Sequence, residues 1–234
     1  MKRANSNQEA ATTKMTVKVY RPLMEKFNQQ VRGLHLVRDA FLDSMIHSET
    51  PRLAEDLAGK RQSPAARLHV ARSLKRMGTA QVNLKVRRST VEALDKVVTE
   101  TNMVRDAFIN RLIMFLRSSD VFLNFLELPK VVVSSEFKSF VEAMPTSPLG
   151  AIQAVHADPL YYVRVAIEER HETGLYTVPM PPTLTGFSCH LEDAYVPGTE
   201  SYAEAQREFD ELFRELDSFE KDTFATPASK DEKK

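Results

Sequence analysis

The pattern of apolar and polar positions occurs twice along the chain, at an offset of 67 residues. Residues 16–46 read TVKVYRPLMEKFNQQVRGLHLVRDAFLDSMI, and residues 83–113 read NLKVRRSTVEALDKVVTETNMVRDAFINRLI, so that the two segments align without a gap. The run VRDAF is identical in both, at 37–41 and 104–108. A gapless match over about thirty positions predicts that one folding unit has been duplicated.

Each repeat is predicted to open with a β-strand. Residues 14–19 and 81–86 alternate polar with apolar residues, which is the period of a strand with one buried face. The polar residues of both segments then lie on the opposite, exposed face. They are Lys14, Thr16 and Lys18 in the first repeat and Gln81, Asn83 and Lys85 in the second.

Two helices are predicted to follow each strand. In the first helix, apolar residues stand three and four apart: Met24, Phe27 and Val31 in one repeat, and Val91, Leu94 and Val98 in the other. A break follows at 33–36 and at 101–103, where Asn102 suits the left-handed conformation that ends a helix. The second helix runs through VRDAF. A unit of about 35 residues cannot bury these apolar faces alone, so each unit must pair with another.

The order strand, helix, turn, helix resembles the ribbon-helix-helix family, the DNA-binding repressors of the MetJ and Arc type. The resemblance covers residues 14–50 and 81–118. It implies that two units intertwine, that their strands form a two-stranded antiparallel ribbon, and that this ribbon enters the major groove of DNA. The sequence leaves open whether a unit pairs with the other repeat of its chain or with a second chain.

The resemblance implies that the outward strand residues read DNA bases. Lysine donates to guanine, glutamine and asparagine bond adenine, and the threonine methyl contacts the thymine methyl. Pairing within one chain would produce an imperfectly symmetric binding site, because the two repeats differ at these positions. The alternative is an exposed polar strand face that binds nothing. The six predicted base-reading residues are Lys14, Thr16, Lys18, Gln81, Asn83 and Lys85.

The resemblance also implies contacts with the DNA backbone near the start of the second helix. Val37 and Val104 stand where the family usually has a Ser or Thr cap, and His35 stands where it prefers Gly. Asp39 and Asp106, in the first turn of the helix, would repel a phosphate. Arginines are therefore expected to make the backbone contacts. The predicted phosphate-binding residues are Arg21, Arg38, Arg88 and Arg105.

The zero net charge of the chain conceals two oppositely charged halves. Residues 1–118 hold 22 Lys and Arg against 11 Asp and Glu, whereas residues 119–234 hold 10 against 21. A basic half of this strength suits a polyanion such as DNA, because neutralised phosphates release condensed counterions. A solvated surface with no ligand would account for the same composition.

Residues 51–80 are predicted to form a basic helical linker between the two units, 14–50 and 81–128. Ser63 suits an N-cap, Pro64 the first turn and Gly78 a stop. The cations of this linker either add nonspecific phosphate contacts or lie on a solvated connector. They are Lys60, Arg61, Arg67, Arg72, Lys75 and Arg76.

Residues 129–225 are predicted to form a small acidic α+β domain, so that the whole chain is mainly α with short β. The β-prone runs at 131–133, 160–167 and 175–178 predict a small sheet. The segment from Ser201 predicts an acidic amphipathic helix whose apolar side carries Tyr202, Phe209, Leu212, Phe213, Leu216 and Phe219. Residues 1–13 and 226–234 are predicted to be a disordered arm and tail.

The residues with metal-binding or nucleophilic chemistry match no known spacing. They are His156, Asp158, His171, Cys189 and His190. Seven glycines form no nucleotide-binding motif, so we expect no catalytic residues, no metal and no cofactor. No segment has the length and apolarity of a membrane span or the form of a signal peptide, which favours a cytoplasmic protein.

The sequence therefore favours a sequence-specific transcriptional repressor that binds double-stranded DNA as a homo-oligomer. Two alternatives stay open. One is an antitoxin, or an accessory protein of a toxin–antitoxin or defence module, whose C-terminal half binds a protein partner or a ligand. The other is an assembly or adaptor protein that uses the same fold only to associate.

Overall fold

The computed structural model describes residues 11–128 and 135–224. It is mainly helical and contains one two-stranded antiparallel sheet. The chain divides into two compact units, residues 1–191 and 192–234, and both repeats lie in the first. None of the helices in the described ranges is long and apolar enough to cross a membrane.

Each repeat folds as a strand followed by two helices, and a further helix connects the repeats. In chain order these elements are β1 (Thr12–Tyr20), α1 (Arg21–Gly33), α2 (Arg38–Asp56), α3 (Pro64–Arg76), β2 (Thr79–Arg87), α4 (Arg88–Thr101) and α5 (Arg105–Leu116). Each repeat has the predicted order of strand, helix and helix. Because β1 begins at Thr12, the predicted disordered arm is wrong at its last two residues. Residues 1–10 and the predicted tail, 226–234, lie outside the described residues.

The two strands pair with each other, within one chain. They run antiparallel, with Thr12 opposite Arg87, Thr16 opposite Asn83 and Tyr20 opposite Thr79. Thr16 and Asn83 are also counterparts in the repeat, since they are 67 residues apart. A local two-fold axis therefore passes between them and relates one strand to the other.

The turn between the two helices of each repeat contains a residue with a left-handed φ at the same repeat position. Asn102 has a φ of 55°, as predicted, and its counterpart His35 has a φ of 56°. Asparagine enters this left-handed region more readily than most residues. His35 adopts it with an exposed side chain, so the repeat geometry is kept although the residue type differs.

Helix α2 extends beyond Pro51, where the sequence predicted the linker to begin. A proline inside a helix removes one main-chain bond, here to the carbonyl of His47. Both Pro51 and His47 are exposed, so water can reach that carbonyl. The buried Leu53 and Leu57 continue the apolar side of the helix. Helix α3 begins as predicted, because the hydroxyl of Ser63 accepts a hydrogen bond from the Ala66 amide at 3.0 Å.

The C-terminal half contains no sheet in the ranges the structure describes, which corrects the α+β prediction. Its helices are α6 (Asp120–Phe125), α7 (Ser135–Glu142), α8 (Pro148–Ala157), α9 (Tyr161–His171) and α10 (Glu200–Phe224), with short 3-10 turns at Pro182–Phe187 and Asp193–Tyr195. Residues 161–167 of the predicted strand lie in α9, where Val163 and Ile167 share one buried face and Leu160 precedes the helix as its N-cap residue. Residues 175–178 form a turn, and 131–133 lie outside the described residues.

Residues 174–178 are held against the repeats by buried polar contacts. The fully buried guanidinium of Arg111 donates to the carbonyl oxygens of Leu175 at 2.9 Å and Val178 at 2.6 Å. The Asp56 carboxylate accepts a bond from the Tyr176 amide at 2.8 Å. Burial lowers the pKa of Arg111, while the negative charge of Asp56 raises it. The loop therefore depends on charges that belong to α2 and α5.

A second buried network joins α2 to α9. The Glu49 carboxylate accepts bonds from Arg164 at 2.8 Å, Arg52 at 2.6 Å and the Tyr176 hydroxyl at 2.8 Å. Both arginines also bond Asp158. Removing one member of such a network leaves an uncompensated buried charge, which is strongly destabilising. The repeats and the segment up to residue 191 thus form one packed unit.

We expect Gly174→Ala to lower the free energy of unfolding by about 1–3 kcal/mol, because a partly buried hydrogen bond to a charged group is lost. A Cβ at Gly174 would overlap the Asp56 carboxylate, which would have to leave the Tyr176 amide. Urea unfolding measures this difference. Gly33→Ala is the control, since a Cβ there meets no atom within 4 Å. Equal unfolding curves for the two variants would contradict the role assigned to the Asp56 contact.

Candidate nucleic-acid interface

The outward face of the ribbon carries all six predicted base-reading residues, and every one of them is exposed. They form three cross-strand rows: Lys14 opposite Lys85, Thr16 opposite Asn83, and Lys18 opposite Gln81. In the central row the Thr16 hydroxyl donates to the side-chain oxygen of Asn83 at 2.9 Å. The ribbon therefore displays a compact polar surface with hydrogen-bond donors and acceptors.

The opposite face of the ribbon is fixed in the core. Met15, Val17, Val19, Leu84 and Val86 are each at most 3% exposed. Because side chains alternate across a strand, this burial orients the six polar residues outward. A one-residue slip of either strand would move its apolar set into solvent, so the register is strongly constrained.

The outer edge of each strand is bonded by the second helix of the other repeat. Asp43, in α2, accepts the Arg87 amide of β2 at 3.0 Å, and Asn110, in α5, accepts the Tyr20 amide of β1 at 2.8 Å. Asp43 and Asn110 are counterparts in the repeat. The two repeats are therefore intertwined, since each completes the hydrogen bonding of its partner's strand.

Asp39 and Asp106 make a second pair of edge contacts. Asp39 accepts the Lys85 amide at 3.0 Å, and its counterpart Asp106 accepts a backbone bond from Lys18. Burial raises the pKa of Asp106, and the Lys18 bond opposes that shift. The sequence predicted that these carboxylates would repel phosphate and indicated no partner for them. Their contacts instead occupy strand amides that would otherwise be free to pair with a further strand.

The predicted phosphate-binding residues Arg38 and Arg105 contact the middle of the ribbon. Arg38 donates to the Asn83 carbonyl at 3.3 Å, and Arg105 donates to the Thr16 carbonyl at 3.0 Å. Arg38 also pairs with Asp39 at 2.7 Å, and Arg105 pairs with Asp95 at 3.3 Å. Both side chains are about one-third exposed. They support the ribbon from its two edges, and their contact with phosphate stays a prediction.

Arg21 and Arg88 lie at opposite ends of the ribbon. Each is exposed and is the first residue of its helix. The Arg21 amide donates to the Gly78 carbonyl at 3.3 Å, and the Arg88 amide donates to the Ala11 carbonyl at 2.9 Å. These two predicted phosphate contacts are thus arranged symmetrically about the six-residue surface.

The linker brings positive charge to one end of the ribbon. Arg61 donates to the Glu100 carbonyl at 2.6 Å and Arg67 to the side chain of Asn102 at 3.2 Å, which holds the start of α3 against the second repeat. Lys75 and Arg76 are exposed in the last turn of α3, directly before β2. Burial lowers the pKa of His69, and the positive charges of Arg76 and Arg72 lower it further.

The two interhelical turns differ in what covers them. In the second repeat the side-chain amide of Asn102 donates to the Gln62 carbonyl at 2.8 Å, so the linker packs on that turn. In the first repeat Leu34 and Val37 are 68% and 72% exposed. A groove of about 670 Å³ lies beside this turn, with Arg32, Arg38 and Lys85 in its lining. The start of α2 is therefore the more open of the two helix starts.

The residues considered for metal or nucleophilic chemistry have structural contacts. The Cys189 thiol is buried, and burial raises its pKa to about 12. His171 bonds the Leu126 carbonyl at 2.9 Å, and the His156 ring packs on Phe41. Within 11–128 and 135–224, no three His, Cys, Asp or Glu side chains are grouped so that they could hold a metal ion.

Sequence reasoning missed the edge contacts made by Asp43 and Asn110. A signal was present, since both are polar residues within the apolar stripe of the second helix and stand at the same repeat position. A polar group that is repeated at a buried position requires a partner. Here that partner is the main chain of the opposite strand.

We expect Asp43→Ala to lower the free energy of unfolding by about 1–3 kcal/mol, because the Arg87 amide loses its acceptor. Asp43→Asn is the comparison variant, since an Asn side chain can still accept the amide, as Asn110 does in the other repeat, and loses only the ion pair with the Arg87 guanidinium at 2.6 Å. It should change stability by less than about 1 kcal/mol. Urea unfolding and hydrogen exchange of the Arg87 amide measure both effects. If both variants lose the same amount of stability, the negative charge of Asp43 and not its bond to the Arg87 amide stabilises the protein.

Comparison with family models, with curated proteins and with solved structures found no match to this chain.

Proposed function

We propose that this protein is a sequence-specific repressor that binds double-stranded DNA in the major groove. In this proposal the two repeats are ribbon-helix-helix units that pair within one chain, and the protein acts in the cytoplasm. The observation that carries the proposal is the outward face of the ribbon, where six exposed polar side chains stand in three rows. A two-stranded ribbon is narrow enough for the major groove of B-DNA.

The chemistry of the rows suits base recognition. Lys14, Lys18 and Lys85 can donate to the O6 and N7 atoms of guanine, and Gln81 can bond adenine through both its amide groups. The ribbon backbone is held by the buried strand face and by the edge contacts, so the side chains project from a rigid support. Preorganised groups lose less entropy when they bind.

The charge around the ribbon suits the DNA backbone. Arg21 and Arg88 mark its two ends, and residues 1–118 carry twice as many basic as acidic side chains. Such a surface attracts DNA independently of sequence and produces affinity that falls steeply with salt. Repression then needs only occupancy of a promoter, and no catalytic group takes part.

We expect the purified protein to enrich a defined motif from random duplex DNA, and the double variant Asn83→Ala with Lys85→Ala to lose it. Each base contact contributes roughly 1–3 kcal/mol of discrimination, so affinity for the motif should fall at least about tenfold. Asn124→Ala with Lys138→Ala is the control, because these exposed residues lie on α6 and α7. Sequence-independent binding by the unaltered protein would support the adaptor function instead.

A second function, as an antitoxin or accessory protein that binds a protein partner, is favoured by α10. This helix belongs to the second compact unit and exposes Phe209, Leu212 and Phe213, each more than half accessible to solvent. Contiguous exposed apolar side chains are typical of protein-binding sites. Glu208 and Glu211 are exposed beside them, so the partner that fits is an apolar surface bordered by Lys or Arg.

We expect the product of an adjacent gene, if it is such a partner, to copurify with the protein. The triple variant Phe209→Ser, Leu212→Ser and Phe213→Ser should lose it, because the apolar contact is removed. Gln206→Ala with Arg207→Ala is the control on the same helix. If the triple variant still retains the partner, α10 is excluded as the binding surface. If the triple variant also loses DNA binding, the two functions are not separate.

A further inference from the structure

We infer that the protein reads a directional DNA site, so that one chain binds its operator in a single orientation. Lys14 and Lys85 would read one half-site, and Lys18 and Gln81 the other. The inference rests on the proposed DNA binding and adds that the bound DNA site is not palindromic.

The local two-fold axis of the ribbon passes between Thr16 and Asn83. That axis exchanges Lys14 with Gln81 and Lys18 with Lys85, because these pairs are counterparts in the repeat and the register places them symmetrically. In a ribbon built from two identical chains, every exchanged pair would be identical. Among the six outward residues only Lys18 and Lys85 form an identical pair. The backbone of the ribbon is therefore symmetric, while its outward side chains are not.

The two half-sites differ in hydrogen-bonding capacity. The row of Lys14 and Lys85 offers donors only, which match the two acceptors of guanine. The row of Lys18 and Gln81 offers donors and one acceptor, and this combination also matches adenine. The central row is asymmetric as well, since Thr16 donates to Asn83 at 2.9 Å. The expected motif is therefore richer in G·C pairs on the Lys14 side.

One end of the ribbon receives additional positive charge from α3. At the Gln81 end, α3 leads into β2 and carries the exposed Lys75 and Arg76. Phosphate contacts from α3 are thus expected beyond the Lys18 and Gln81 half-site. The contacts with bases and with the backbone specify the same orientation.

A cleavage reagent attached to α3 tests this orientation. Cys189 is the single cysteine of the chain and is buried with a raised pKa, so a thiol reagent will label an introduced cysteine selectively. Ala71→Cys, at an exposed position of α3, would carry an iron chelate that cuts nearby DNA. The test duplex carries the motif selected by the unaltered protein between two identical flanking sequences. We expect the DNA to be cut roughly tenfold more strongly on one side of the motif than on the other.

A symmetrised ribbon is the matched comparison. Thr16→Asn with Gln81→Lys makes every exchanged pair identical and changes only exposed positions. Circular dichroism will check its fold. This variant should select a palindrome and, with the same α3 label, cut both sides equally.

A palindromic motif or equal cleavage by the protein with its native ribbon would overturn the inference and leave the proposed DNA binding intact. Absence of any sequence preference would overturn both.

Discussion

Hydrogen bonds between side chains of the second helices and the outer amides of the ribbon are the constraint on which the rest of the structure depends. An isolated two-stranded sheet is only marginally stable in water. Here α2 bonds the edge of β2 through Asp39 and Asp43, and α5 bonds the edge of β1 through Asn110. Neither repeat supplies the hydrogen bonds at the outer edge of its own strand, so the two repeats fold as one intertwined body. The same bonds fix the backbone of the residues that display the polar surface.

The segment up to residue 191 breaks the symmetry of this body. It packs on one side of the duplicated core, where Arg111 of α5 bonds the 174–178 loop and Glu49 of α2 bonds Arg164 of α9. The counterpart of Arg111 is Ser44, which is exposed. The repeats therefore share the backbone of the ribbon and differ both in its outward side chains and on the surfaces behind it. A duplicated unit in one chain permits this divergence, whereas two identical chains would not.

Periodicity made the repeats predictable, because alternation and three-to-four spacing report burial directly. The six outward residues followed from the same alternation. The continuation of α2 through Pro51 did not follow from the periodicity, since it depends on the exposure of His47. The run at 160–167 was misread because Val and Tyr favour strands, a weak preference that helix packing overrides. The strand atoms that Asp39, Arg38 and Arg105 bond were hidden as well, because they lie in the opposite repeat.

The stoichiometry of the complex with a single operator duplex tests the central claim most directly. That claim is that one chain supplies a complete reading ribbon. Native mass spectrometry of the protein with its selected duplex should find equal numbers of chains and duplexes, whether or not C-terminal contacts join two such complexes. Two chains on every duplex would contradict the account, because the ribbon would then be assembled between chains.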